Sequence, residues 1–201
     1  LIPSRHAGSR VRSAWMRDQL QQALATDAGL LKGRQVTDLL RAGGGSVGSS
    51  WRVSLSDGQA LFVKVAHSAN LRAEQSGLQA LRGWADLSLI EVPQVLGCLP
   101  LSGQSALVMA WCEFSSGDQF SLGRGLALLH RASADGGPGR FGWDQDGFIG
   151  LGPQPRGWRE NWGQAFTELR LRPQFHLART WGLDAQEWEP LLQPIAAWLN
   201  R

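Results

Sequence analysis

Hydrophobic positions along the chain follow two different periods. Over residues 14–25 (AWMRDQLQQALA), Trp15, Leu20 and Leu24 share one side at helical spacing and predict a helix. After the glycines at 43–45 and 48 the period changes to two. Trp51, Val53 and Leu55 alternate with Arg52, Ser54 and Ser56, as in a half-buried strand. Asp57-Gly58 is a hairpin signal, and residues 60–65 return as a second strand. Helical spacing resumes over residues 71–84, where Leu71, Leu78 and Leu81 form one stripe. Two more strands flank Ser102-Gly103, the second being the apolar run Ser105–Met109. The rest reads as helical. Leu122, Leu126 and Leu129 lie on one face, with His130 in the last turn, where a cation suits the helix dipole. A second stripe runs through Trp158, Trp162, Phe166 and Leu169, and a third helix, from Asp184, bends at Pro190 or Pro194.

Two charged residues interrupt these apolar patterns. Lys64 sits inside the strand LFVKV, on the parity of Ala60 and Phe62. Glu74 falls on the leucine stripe of the following helix, three residues after Leu71 and four before Leu78. Taken singly, a strand lysine is an edge guard against aggregation. A carboxylate on a buried face, however, needs a cation to meet it. The pairing of Lys64 with Glu74 behind a glycine turn is the arrangement with which kinases hold nucleotide phosphates.

Composition narrows the class. Of 201 residues, 43% are hydrophobic and 18% charged, which is a globular balance. The net charge is +3; the only lysines are Lys32 and Lys64, and the arginines are scattered rather than striped, so nothing points to nucleic acid. No apolar run is long enough to cross a bilayer, so no membrane partner is expected. Two cysteines, Cys98 and Cys112, make neither a disulfide scaffold nor a metal pattern, which points to a reducing, cytoplasmic setting. Residues 1–13 are basic and without an acid, and read as a disordered leader. Ten tryptophans and no tyrosine suggest packing or ring stacking.

Much of the aromatic content sits in FGWDQDGFIG, residues 141–150. An EF-hand opening at Asp144 needs glycine at its sixth place and glutamate at its twelfth; those places hold Ile149 and Pro155, so calcium is excluded. A sugar-stacking loop fits the composition but predicts no residue order. The order does match a family. LALLH, FGWDQDGFIG, PQPRGW, NWGQAF and ELRLRPQF, preceded by GGGSV, LFVKVA, AEQSGLQAL and ALVMAW, resemble the fructosamine (ketosamine) kinases over roughly residues 36 to 200.

The resemblance implies an α+β, protein-kinase-like, two-lobed fold. Residues 14–112 would form a small antiparallel-sheet lobe with its hinge, and 113–201 a truncated helical large lobe. It implies ATP-dependent phosphorylation, with magnesium, of a sugar-derived hydroxyl on a small-molecule or glycated-protein substrate. Gly44, Gly45, Ser46 and Val47 would cover the phosphates, Lys64 hold them, Glu74 orient Lys64, and Met109, Ala110 and Trp111 meet the adenine. Trp143, Gln154, Trp162, Arg170 and Gln174 match the large-lobe pattern, as substrate contacts or as structure. FGWDQDGFIG and PQPRGW, residues 141–150 and 153–158, are expected to form a loop with Asp144 and Asp146 facing solvent or a polyhydroxyl ligand, over a helix starting near Trp158.

Departures from the family pattern are specific. Gly147-Phe148 replaces Asn-Tyr, Arg156 an asparagine, Ala110 a glutamate, and Ser46 the cysteine of some relatives. The catalytic His-Gly-Asp segment, with its base and metal-binding aspartate, is absent from residues 1–201, so the chain reads as incomplete and inactive by itself, with no catalytic or metal residue of its own. Two other readings stay open: an aminoglycoside- or choline-kinase-like phosphotransferase, which the 141–174 series disfavours, and a degenerate, non-catalytic binding module.

Overall fold

A computed structural model describes residues 5–43, 48–114 and 116–201, with backbone alone for 5–13 and Ala28. The chain forms two compact units. One contains the chain up to Arg82 together with Glu91–Gly117; the other contains Gly83–Ile90 and Asp118–Arg201. The first unit therefore keeps the whole segment after the sheet up to Gly117, and residues 83–90 pack with the second.

The first unit is a five-stranded antiparallel sheet. Its strands are β1 (Val36–Ala42), β2 (Ser49–Leu55), β3 (Ala60–Ala66), β4 (Val95–Leu101) and β5 (Gln104–Ala110), in the order β1-β2-β3-β5-β4. Helix α1 (Arg5–Thr26) and the short α2 (Ala28–Leu31) precede the sheet, and α3 (Ser68–Trp84) follows β3. Strand alternation divides the residues between two cores. Trp51, Val53, Leu55, Leu61, Val63, Val65 and Val108 are buried on one face with Leu20 and Leu24 of α1. On the other face, Ala66, Leu107 and Met109 are buried with Leu71 of α3, and Phe62 and Leu78 pack against them.

Helix α1 begins at Arg5, so residues 5–13, expected as a disordered leader, have helical backbone. The run contains no proline, and once the packed turns around Leu20 and Leu24 have nucleated a helix, each added residue costs little. Trp15, expected on the packed side, is exposed.

The second unit contains α4 (Gln119–Gly136), four short strands, the continuous helical run Trp162–Ala178 and α7 (Ala185–Leu199). Asp118 caps α4, accepting from the backbone N–H groups of Phe120 and Ser121 and from the Ser121 hydroxyl. These bonds favour the ionised form and hold the Asp118 carboxyl below its ordinary pKa. Helix α4 buries only part of the leucine stripe. Gly125 and Leu129 are buried, while Leu122 and Leu126 are 41% and 40% exposed. The cause is close approach at Gly125, where a Cβ would lie 3.2 Å from Ile90 and 3.3 Å from Leu89. The helix also runs on to Gly136, so exposed His130 lies within it and not in its last turn. Helix α7 passes through Pro190 and Pro194 as one element. Both prolines are exposed and one turn apart, and neither can donate to the carbonyl four residues before it, that of Gln186 or of Pro190.

Candidate nucleotide site and the nested ribbons

Lys64 and Glu74 meet as expected. Lys64 Nζ donates to Glu74 Oε2 at 2.6 Å, and the side chains are 25% and 31% exposed. Their meeting follows from parity. Lys64 points to the face that α3 covers, and the helix carries Glu74 on the same side as Leu71, which is fully buried there. In register, Lys64 lies between Ser50 of β2 and Leu107 of β5, and Phe62 lies between Arg52 and Met109. Arg52, Phe62 and Lys64 thus form a half-buried row on one face, cationic at Lys64 and aromatic at Phe62. Successive members of the row on β3 stand about 7 Å apart along the strand.

The residues expected at the adenine lie at the aromatic end. Met109 is buried, its side chain belonging to the core beneath Phe62. Ala110 closes β5, and its N–H donates to the Gln94 carbonyl at 2.9 Å. Trp111 follows in irregular backbone; its ring centroid is 6.2 Å from that of Phe62 at 42°. Its Nε1 donates to Glu113 Oε1 at 2.8 Å. A cleft of about 420 Å³ opens there, lined by Arg52, Gln94, Ala110, Trp111 and Glu113 among others. Gly44, Gly45, Ser46 and Val47, expected over the phosphates, lie outside the described residues. Next to them Gly48 has φ +81°, and a Cβ on it would sit 2.1 Å from the Val65 carbonyl oxygen, so the chain enters β2 by a path that requires glycine. Sequence reasoning missed Arg52 as a member of the row. Its parity, matching Lys64 across the hairpin, was the available signal.

In the second unit, residues 141–159 are neither an open loop nor helical. β6 (Phe141–Trp143) pairs with β9 (Gly157–Arg159), and inside that ribbon β7 (Gly147–Ile149) pairs with β8 (Gly152–Gln154). Asp144 and Asp146 are exposed, as expected, and also tie the two ribbons together. Asp144 Oδ1 accepts from Trp158 Nε1 at 2.7 Å, and Asp146 Oδ1 from the Arg156 N–H at 2.8 Å. Trp158 therefore belongs to β9, and the helix begins at Trp162. Asn161 caps it, accepting from the Gln164 N–H at 3.0 Å.

That helix comprises α5 (Trp162–Phe166), a π turn over Thr167–Leu171 and α6 (Arg172–Ala178). The wider turn sets the register of α6 relative to α5. Arg170 Nη1 donates to the Pro155 carbonyl at 3.3 Å and to the Leu169 carbonyl at 3.0 Å. Burial lowers the pKa of its guanidinium. Gln174, one turn on, donates to the Pro153 carbonyl at 3.1 Å and presses against Gly152. Gln154 stands opposite Gly147 in the inner ribbon, and half-buried Trp143 opposite Gly157 in the outer one. Trp162 lies 6.1 Å from Phe141 and 5.3 Å from Phe166, ring to ring. These five residues hold or build the ribbons. Removing both donors with Arg170→Met and Gln174→Ala is expected to speed amide exchange over residues 147–156 roughly thirtyfold, from two lost hydrogen bonds of about 1 kcal/mol each. Mass-spectrometric exchange showing no change there would mean that the ribbons stand without the clamp.

Among the described residues no three His, Cys, Asp or Glu side chains come together to hold a metal, and no helix is long and apolar enough to cross a membrane.

The family model for fructosamine kinase matches residues 16–201. A Synechocystis protein named as a ketoamine kinase is 37% identical over 129 residues, 62% of this chain and 43% of that protein. An Arabidopsis thaliana protein named as a chloroplastic protein-ribulosamine 3-kinase is 31% identical over 192 residues, 92% of this chain and 56% of the relative. The chain thus spans about half the length of these curated relatives. Two crystal structures named as fructosamine-3-kinases share the fold. The Haemophilus somnus protein superposes with a TM-score of 0.73 at 24% identity, over 90% of this chain and 60% of its own. The Thermobifida fusca protein gives 0.60 at 30% identity, over 77% and 54%. The architecture is accordingly the α+β, protein-kinase-like one that the residue order implied, and the chain belongs to the fructosamine kinase family.

Proposed function

We propose that this chain serves an ATP-dependent kinase reaction on a sugar-derived hydroxyl of glycated amines or proteins, and that its first unit binds the nucleotide. The observation that carries this reading is the Lys64–Glu74 ion pair, set in a row whose other end is aromatic. A lysine ammonium is a compact charge that can approach phosphate oxygens from several directions, whereas an arginine presents a planar fork. Glu74 holds the ammonium over the face, so little side-chain freedom is lost when an anion arrives. Phe62 and Trp111 offer ring surface to a base, beside the backbone of Ala110. Bound ATP supplies the phosphoryl group to be transferred. Residues 1–201 contain no His-Gly-Asp segment, so no metal-assisted or proton-abstracting step is assigned to them.

In the second unit, the ribbon pair is the part whose residue order is most specific to the family. Trp143 and Gln154 are its candidates for touching substrate, and Trp162, Arg170 and Gln174 support it. The test is binding and turnover on one preparation. ADP titrated into the 201-residue chain is expected to bind saturably in a calorimeter, while phosphorylation of a fructosamine stays at the no-enzyme control. Absence of ADP binding would remove the nucleotide assignment, and turnover above the control would place base and metal ligands within these residues.

A further inference from the structure

The row that carries Lys64 contains a second cation. Arg52, opposite Phe62 in the β2–β3 register, makes no ion pair with any described residue. Its guanidinium donates to Ser54 Oγ at 3.2 Å and lies 5.1 Å over the ring of Trp111. Both partners lie toward the end of the sheet where β5 exits, away from Lys64. Ser54 is two residues further along β2, and Trp111 follows Ala110, which pairs with Leu61.

Trp111 itself sits in irregular backbone, yet three side chains from different places hold it. Phe62 of β3 meets its ring, Glu113 accepts from its Nε1 at 2.8 Å, and Arg52 of β2 lies over its face. An indole so held keeps one orientation at the mouth of the cleft that Ala110 also lines. A cation on an aromatic face contributes a factor of roughly two to five in the population of that orientation at an exposed site, and more where water is excluded.

We propose that Arg52 is a positioning residue for the nucleobase: by stacking on Trp111 it fixes the indole as the wall against which the base lies, and it acts through that ring rather than on the phosphates. The proposal rests on the nucleotide reading of the Lys64 face. It adds a residue that the glycine loop, the Lys64–Glu74 pair and the end of β5 do not include. It also separates the two cations of the row, Lys64 serving the anionic part of the ligand and Arg52 the aromatic part.

The experiment compares ADP with inorganic tripolyphosphate, which has the charge without the base, by calorimetric titration of the 201-residue chain and of Arg52→Met and Arg52→Lys. The expected result is that R52M weakens ADP binding about three- to tenfold and leaves tripolyphosphate unchanged, with R52K in between. In a Trp111→Leu background, R52M should cause no further loss, because the ring through which Arg52 acts is gone. Equal ADP affinities in R52M and the unaltered chain, or parallel losses for ADP and tripolyphosphate, overturn the proposal and leave the nucleotide reading standing. Failure of the unaltered chain to bind ADP overturns both. If R52M does not fold, R52K with and without Trp111→Leu carries the same test, and a loss that persists without the indole overturns the proposal.

Discussion

Replacing Lys64 with methionine is expected to weaken ADP binding at least tenfold while leaving the first unit folded. Methionine keeps most of the side chain's apolar length and removes its charge. The lost contact is a charge-assisted one to phosphate, typically about 1.5–3 kcal/mol, or roughly 10- to 150-fold in affinity. A second effect acts in the same direction. Glu74 loses its partner and leaves an uncompensated carboxylate where the phosphates would lie. K64M combined with Glu74→Gln should therefore bind ADP better than K64M alone. Stability should move little, because both side chains are partly exposed and solvent screens their attraction; a change within about 1 kcal/mol is expected. Calorimetric titration beside urea unfolding of the same samples separates the two quantities. If K64M binds ADP as tightly as the unaltered chain, Lys64 does not hold the phosphates and the site must be sought elsewhere.

The largest stability effect is expected at Gly163, where α5 crosses α7. A Cβ on Gly163 would lie 2.1 Å from the carbonyl oxygen of Ala196 and within 2.9 Å of that residue's carbonyl carbon and Cα. All three are backbone atoms, so no rotamer change relieves the clash and the helices must separate. Separation also breaks a local network. The Gly163 N–H donates to Asn200 Oδ1 at 2.7 Å, and Asn200 Nδ2 donates to Asn161 Oδ1 at 2.8 Å. Within the same helical run, Thr167 Oγ1 donates to the Gly163 carbonyl at 2.7 Å, a bond that the separation leaves in place. Overpacking of this kind costs about 1–3 kcal/mol and each lost hydrogen bond about 1 more, so Gly163→Ala should destabilise the second unit by about 3 kcal/mol or more. Gly123→Ala is the control. That glycine is exposed within α4 and has nothing within 4 Å of its Cβ position, so alanine there should be neutral or stabilise by up to about 1 kcal/mol. Because the chain has two units, the loss should be followed in urea with residue-resolved amide exchange rather than by one melting temperature. A loss at G163A no larger than about 1 kcal/mol would mean that the helices cross less tightly than these distances require.

Both expectations turn on how closely distant segments approach, and only one of the two could be anticipated without coordinates. Lys64 and Glu74 are ten residues apart on adjacent elements. Strand parity places one and helical spacing the other on the same face, so local periodicity was enough to pair them. The same logic set the β2–β3 hairpin and its buried alternation, and the ordered series from 141 to 174 marked the family. Gly163 and Ala196 meet through a helix crossing that neither segment's pattern encodes. At Gly125, likewise, the absent side chain lets α4 approach Leu89 and Ile90, so the packed face runs through Gly125 and Leu129 and leaves Leu122 and Leu126 outside it.

The sequence by itself therefore determined the β2–β3 hairpin with its buried alternation and the ion pair, because both follow from a repeat of two or 3.6 residues, while the ordered motifs carried the fold class through their resemblance to the family. Tertiary structure decided the nested ribbons, the start of the helix at Trp162, the π turn before Arg170 and the stacking of Arg52 on Trp111. A three-residue strand is too short to show alternation, and an aspartate in a glycine-rich stretch reads equally as loop or ligand until Trp158 donates to Asp144 and the Arg156 N–H to Asp146. A cation–ring contact between residues 52 and 111 exists only after β2, β3 and β5 have aligned, so no local pattern could carry it.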